Sequence, residues 1–284
     1  MDLKNISDEI KILLEQKRNE LQLTFIEDEH IYFMKDTDGK VKKNFPSVSK
    51  VVKKFHSYFD SVGKSLQMCN GDEVDSKKLQ EQWKAAGDYS TNMGSRVHYL
   101  LETNLIEKYG NYKEVRQPIF TVDDDQIKKS DNMITAGKNY IDLMHERGAF
   151  LLDTEIVLGH PLEGYTGQPD KAWLMLNKQK DGFGLVITDW KSNQPKNFVP
   201  QPYNGYLYTP FNNYRDYALT HYYIQLPLYA KLLIRMLEGT KYENLKLLGC
   251  VVVLLKDDGT FEEFRVPQDI IKTVLSMDIK KYLK

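Results

Sequence analysis

The chain lacks most of the features that assign a protein to a class at sight. Its 284 residues include only two cysteines, Cys69 and Cys250, too few for a disulfide framework or a four-thiolate cluster. Both are expected to be reduced, structural thiols. Net charge is almost absent, at -1 near neutral pH, so no global field draws the chain to a polyanion. Any nucleic-acid site has to be a local patch. No apolar run reaches the 18 residues or so of a membrane-spanning helix, and no internal repeat or low-complexity tract is present. Acidic residues at positions 2, 8, 9 and 15 argue against a signal or transit peptide. What remains is an ordinary soluble composition, 41% hydrophobic and 28% charged, enough for one large domain or two small ones with a real core.

Periodicity orders the chain. Ile6, Ile10, Leu13 and Leu14 predict a helix over 6–20 with Ser7 as its cap, and residues 21–34 read as a strand pair. Ser47 caps a helix with Val48, Val51, Val52 and Phe55 as its buried stripe. Residues 60–80 show no pattern and read as a loop. A helical stripe follows over 83–109, a connection over 111–130 with a helix start at Asp123-Asp124-Asp125, and a helix over 127–147 stopped by Gly148. From Phe150 the period switches to that of strands, with three runs at 150–158, 165–176 and 183–190. An irregular stretch (192–217), a long helix (218–237), strands at 246–255 and 261–266 and a helix opened by Pro267 complete the chain. The central order of helix, three strands, helix and strand predicts a mixed α/β sandwich.

The chemistry concentrates between Thr166 and Lys191. Asp170 opens one apolar run and Asp189 closes the next, with Lys191 two residues on and therefore on the same strand face as Asp189. If the runs pair as a hairpin, two carboxylates and an amine converge at a sheet edge, an arrangement suited to Mg²⁺ or Mn²⁺ and to hydrolysis. Asp-x-Lys is a common tripeptide, found also at Asp2, Asp38, Asp75 and Asp278. Only the copy at Asp189 ends a strand-like run and follows the single Pro-Asp dipeptide, Pro169-Asp170. His98 and Glu102 share a helix face; His98 is either a packed residue or a metal ligand. Glu155 is either a further carboxylate of the site or a solvent-facing strand residue.

In order, the chain presents Gly94-x-x-x-His98-x-x-x-Glu102, Glu155, Gly167-x-Pro169-Asp170, Asp189-Trp190-Lys191 and Gln225-x-x-x-Tyr229, the last being its only Gln-x-x-x-Tyr. This series, spanning roughly 90–255, resembles the RecB-type branch of the PD-(D/E)XK nuclease superfamily, most closely the stand-alone phage and mitochondrial genome-maintenance exonucleases. The resemblance implies a restriction-endonuclease-like α/β core, a central mixed sheet flanked by helices, over 150–284. An N-terminal, mostly helical elaboration carrying His98 would occupy 1–149 of one domain, 1–284. It implies His98, Asp170, Asp189 and the Trp190 carbonyl as ligands of Mg²⁺ or Mn²⁺. Glu155 and Glu102 would stand at a second metal or behind the ligands. Lys191 would orient or deprotonate the attacking water, while Gln225 and Tyr229 buttress the site and hold the DNA backbone.

The implied activity is a metal-dependent DNA exonuclease acting on single strands or free ends, in recombination, repair or replication. It would work in the cytoplasm of a bacterial or phage-infected cell, with a recombinase, helicase or single-strand-binding protein as partner, and away from membranes. A structure-specific endonuclease and a non-catalytic DNA-binding protein are the alternatives. No iron–sulfur cluster is expected without four cysteines, and no nucleotide cofactor without a Walker A sequence. Eight tyrosines between 203 and 229 either pack or stack on bases. The stretch 192–217, with Tyr206 and Tyr208 for the bases and Lys196 and Arg215 at the phosphates, is expected to form one wall of a strand channel, and helices from 60–150 the other. Arg96 meets either a phosphate or a surface carboxylate.

Overall fold

The computed structural model describes residues 2–26, 29–109 and 117–283. Helix α1 (Leu3–Leu21) is capped by Asp2, whose carboxylate accepts from the amides of Lys4 and Asn5. The expected cap, Ser7, lies inside this helix and donates instead to the Leu151 carbonyl. Strands β1 (Thr24–Ile26), β2 (Ile31–Lys35) and β3 (Val41–Lys43) form a small antiparallel sheet. Helix α2 (Val48–Val52) has the expected Ser47 cap but spans only five residues.

Residues 60–80, expected to be a loop, are largely helical. Helix α3 (Ser61–Met68) is capped by Asp60, and α4 (Glu73–Tyr109) begins ten residues before the apolar stripe announces it. Polar surface helices lack the stripe that periodicity detects, and here aspartate caps carry the signal: Asp72 accepts from the amides of Val74 and Asp75. At 37 residues, α4 is about 55 Å long. The 111–130 connection falls partly outside the described residues. Helix α5 (Asp124–Glu146) starts on a reciprocal cap between Asp123 and Gln126 and ends before Gly148 at φ 73°.

The three apolar runs become five strands: β4 (Phe150–Thr154), β5 (Leu158–His160), β6 (Tyr165–Gly167), β7 (Lys171–Leu176) and β8 (Phe183–Lys191). The first two runs break at Glu155 and at Gln168–Asp170, where functional side chains leave the strand path. A short 3₁₀ turn (Pro195–Phe198) interrupts the irregular stretch before α6 (Ala218–Met236). Strands β9 (Lys246–Leu255) and β10 (Phe261–Arg265), then α7 (Gln268–Ser276) and α8 (Lys280–Leu283), follow.

The main sheet runs β10-β9-β8-β7-β4, with β8 and β9 parallel and every other pair antiparallel. Helix α6 makes the crossover that a parallel pair requires. Alternation sorts the strand residues onto two faces. Leu174, Leu185, Ile187 and Val252 meet α1, α2, α6 and α7, while Trp173, Val186, Trp190 and Val253 meet α4 and α5. Elements from before residue 150 thus pack on both faces.

Gly167 marks a tight junction behind the site. A Cβ there would stand 2.6 Å from the Tyr229 ring on α6 and 2.6 Å from Val48 on α2. Neither neighbour is the free end of a flexible chain. Gly167→Ala is therefore expected to lower unfolding stability by about 1–3 kcal/mol, the usual cost of overpacking. Denaturant titration measures this; a variant as stable as the parent would show that the junction has room.

Candidate metal centre

β7 and β8 pair with Lys171 opposite Thr188, so Asp170 and Asp189, one step further, lie at the same end of the hairpin. Helix α4 crosses this end, and Asp170 joins the three elements. Its Oδ2 accepts from the Trp190 amide at 3.0 Å, lies 3.2 Å from Lys171 Nζ and 3.4 Å from His98 Nδ1. His98 Nε2 stands 3.1 Å from the Trp190 carbonyl. Glu155 completes the group: one donor atom each from His98, Glu155 and Asp170 lie within 4.8 Å of one another. Glu155 has a left-handed backbone, φ 45°, which costs a residue with a Cβ roughly 1–2 kcal/mol. Its amide donates to the Asp170 carbonyl at 3.1 Å, and its carbonyl accepts from Gln168 Nε2 at 3.0 Å. These bonds hold the turn that takes Glu155 out of the strand and into the wall of the cleft.

Burial holds the His98 imidazole neutral, with its pKa pushed down to about 4; Lys171 and Lys191 add to this, against the pull of Asp170. A carbonyl only accepts, so the ring proton belongs on Nε2, toward Trp190. Nδ1 then turns a lone pair toward the Asp170 carboxylate. Burial would raise Asp170, but the Lys171 and Lys191 charges and the Trp190 amide outweigh it and hold it well below the usual carboxylate range. Two acceptors therefore face each other with Glu155 beside them. That is a fit for a cation with mixed oxygen and nitrogen ligands.

Asp189 is not in this group. Lys191 Nζ sits 2.5 Å from its Oδ2, and an ammonium at that distance holds the carboxylate away from Asp170. Burial and the charge of Asp170 push Asp189 up to about 6, against Lys191. Burial pulls Lys191 down, yet Asp189 and Asp170 prevail and keep its ammonium above the ordinary lysine value. Lys191 is thus a fixed cation, with its Nζ 4.5 Å from the Tyr222 ring centre, and not a proton acceptor. The expectation that it deprotonates a water does not fit this arrangement.

Glu102 accepts from Thr154 Oγ1 at 3.1 Å and tethers α4 to the end of β4. Gln225 Nε2 donates to the Tyr229 hydroxyl at 2.8 Å, across Pro227, which sits inside α6 without ending it. Tyr229 is 6% exposed beneath Gly167. It packs against the β6 hairpin and does not line the cleft in which a DNA contact was expected. Arg96 takes the carboxylate of its two expected partners: it bonds Ser130 and pairs with Asp131 at 2.8 Å, both on α5. Two residues before His98, it lies about 200° around the helix and so faces the opposite side.

Of the stretch 192–217, Ser192 and Asn193 line the cleft with α4, while Tyr206 and Tyr208, 54% and 53% exposed, are not part of its lining. Arg215 is spent on the Asn204 carbonyl and the Tyr206 ring, and Lys196 is exposed on the 3₁₀ turn. The cleft over the centre, 680 Å³, is lined instead by Phe25 and His30, by Ser90, Thr91, Gly94 and Ser95 of α4, and by Ser192, Asn193 and Tyr222. Gly94 allows this approach: a Cβ there would meet Ser192 Oγ at 3.0 Å.

Lys171 is the member of this charged group that sequence reasoning missed. It is 2% exposed, with Nζ 3.1 Å from the centre of the Trp190 ring. Its only signal was a lysine opening an apolar strand directly after Asp170, which alternation places on the α4 face.

No model of a known protein family matches the chain, and a search of curated proteins finds no relative. The site has to be read from its own chemistry.

A second His–Asp group, His56, Asp216 and His221, flanks this region. Its imidazoles stack, with centres 4.1 Å apart and planes 18° from parallel, so their lone pairs do not converge. The Asp216 oxygens are taken by Ser57 and by His221 Nε2 at 2.7 Å. The group is a latch between the loop after α2 and the start of α6. Burial lowers the His221 pKa, so its contribution to stability is complete above about pH 6.5 and fades as pH falls toward the folded-state value. Thermal unfolding midpoints should drop between pH 7.5 and 5.5, and His221→Gln should shrink that drop. An unchanged slope would remove His221 from the acid response.

Proposed function

We propose that this chain is a Mg²⁺- or Mn²⁺-dependent deoxyribonuclease that hydrolyses phosphodiester bonds, working on single-stranded or end-bearing DNA. One observation carries this reading: His98, Glu155 and Asp170 turn donor atoms toward one point beside a paired Lys191, at the floor of an open cleft. The succession α5, β4, β7, β8, α6 and β9 around a mixed sheet is compatible with the restriction-endonuclease-like core.

His98, Glu155 and Asp170 would hold the cation, with the Trp190 carbonyl close by. A bound Mg²⁺ or Mn²⁺ supplies charge neutralisation at a phosphate and an acidified water. The protein's own residues do the rest. Lys191, steered by Asp189 and the Tyr222 ring, presents a fixed positive charge where the phosphate gains negative charge. Lys171 and the Trp190 amide keep Asp170 ionised and aimed. Glu102 and the Gln225–Tyr229 pair fix the helices against the sheet, which sets the positions of the reacting groups.

End-labelled oligonucleotides blocked at one end or the other, incubated with Mg²⁺ or Mn²⁺, test the reading and report end dependence. The parent should cleave only with the metal. Lys191→Ala should cut roughly 10²–10³-fold more slowly, the cost of losing one preorganised charge-stabilising group, and circular dichroism checks its fold. Metal-independent cleavage, or none with any substrate, would contradict the proposal; binding without cleavage would favour a non-catalytic DNA-binding protein.

A further inference from the structure

The cleft wall facing α4 comes from the N-terminal hairpin, which the proposed chemistry does not use. Phe25 on β1 and Tyr32 on β2 are register partners, with rings stacked 4.4 Å apart and 25° from parallel. Tyr32 is buried, and Glu155 of the metal centre acts on its hydroxyl. His30 meets the edge of Phe25 with centres 5.2 Å apart and an interplanar angle of 87°. His30 also stands edge to face with Tyr32, centres 6.1 Å apart, so the three rings form one cluster. Tyr32 backs the cluster, and Phe25 and His30 line the cleft. The α4 lining begins with the small residues Ser90, Thr91, Gly94 and Ser95 and continues through His98, Tyr99 and Glu102 toward the metal centre. The result is a slot with the aromatic hairpin on one part of its lining and the small polar residues of α4 on another, open to solvent and continuous with the metal centre.

We infer that this slot takes an unpaired nucleobase, with Phe25 as the stacking platform and His30 at its rim, so that the bound strand runs along the β1–β2 hairpin and α4 and meets 192–217 only at its first residues, Ser192 and Asn193. The inference rests on the nuclease reading and adds the part of the substrate that the cleft grips. A flat ring fixed on one side by Tyr32 loses little freedom when a base lands on it. Such stacking accepts every base, because each has a π-face. Hydroxyls at Ser90, Thr91 and Ser95 and the amide of Asn193 give the sugar and phosphate hydrogen-bonding partners. A cleft of 680 Å³ falls in the range that encloses a drug-sized molecule, room for a short piece of one strand. A base inside a duplex has both faces already stacked and cannot use the platform.

Fluorescence anisotropy with a labelled single-stranded oligonucleotide and its counterpart built from abasic sugars tests this, with Ca²⁺ as the divalent ion. The parent should bind the base-bearing strand about tenfold more tightly than the abasic one, within the range for one stacked base. Phe25→Ala should erase most of that difference. Phe25→Leu, which keeps apolar packing on Tyr32 without a flat ring, should behave like Phe25→Ala, and Phe25→Trp should restore it. Variants that retain the parent's preference for bases, or that lose affinity for both strands alike, would overturn the platform. If the parent cleaves with Mn²⁺ while Phe25 variants keep the preference, only the platform fails. If the parent neither binds nor cleaves DNA, both readings fail.

Discussion

One buried carboxylate ties the architecture together. Asp170 sits where β7 begins, and its Oδ2 receives the Trp190 amide from β8, the Lys171 ammonium and the approach of His98 from α4. A lone charge in such surroundings would cost several kcal/mol; here a fixed amide and two nearby ammonium groups compensate it. The same compensation aims the site. With Asp170 ionised and His98 neutral, the space between them accepts a cation and repels an anion. The sheet, the long helix and the turn at Glu155 each have to be in register for that space to exist.

Close packing keeps the register. Gly94 lets α4 approach the chain just after β8, and Gly167 lets the β6 hairpin sit under α6 and α2. A second buried cluster does similar work at the far end of α6, where Glu163 pairs with Lys231 at 3.0 Å and with Arg235 at 2.9 Å. The strained backbone at Glu155 lies directly at the proposed ligand, and surrounding hydrogen bonds over-determine it.

Much of this is legible in the sequence, and the failures have physical causes. Strand runs, the Asp123 start and the Gly148 stop read correctly because period and capping are local signals. The same locality explains why α3 and the first turns of α4 were missed: these helices expose polar residues and bury little. His98, Asp170 and Glu155 were identifiable as candidates, but their convergence depends on where β4 and β7 break, which pattern alone does not reveal. Asp189 was expected among the ligands and turns instead to Lys191, a choice between neighbouring charges that only three dimensions decide. The tyrosine-rich stretch looked like a binding wall by composition. Tyr222 does line the cleft, while Tyr214 is bonded to Asp269 and Tyr206 carries the Arg215 guanidinium on its ring.

The account stands on a cation held by His98, Glu155 and Asp170. Diffraction from crystals grown with Mn²⁺, collected to display its anomalous scattering, tests this most directly. The account predicts an anomalous peak within bonding distance of all three side chains, with Lys191 still paired to Asp189. A crystal saturated with Mn²⁺ that shows no peak there, or a peak bound by other residues, would contradict it.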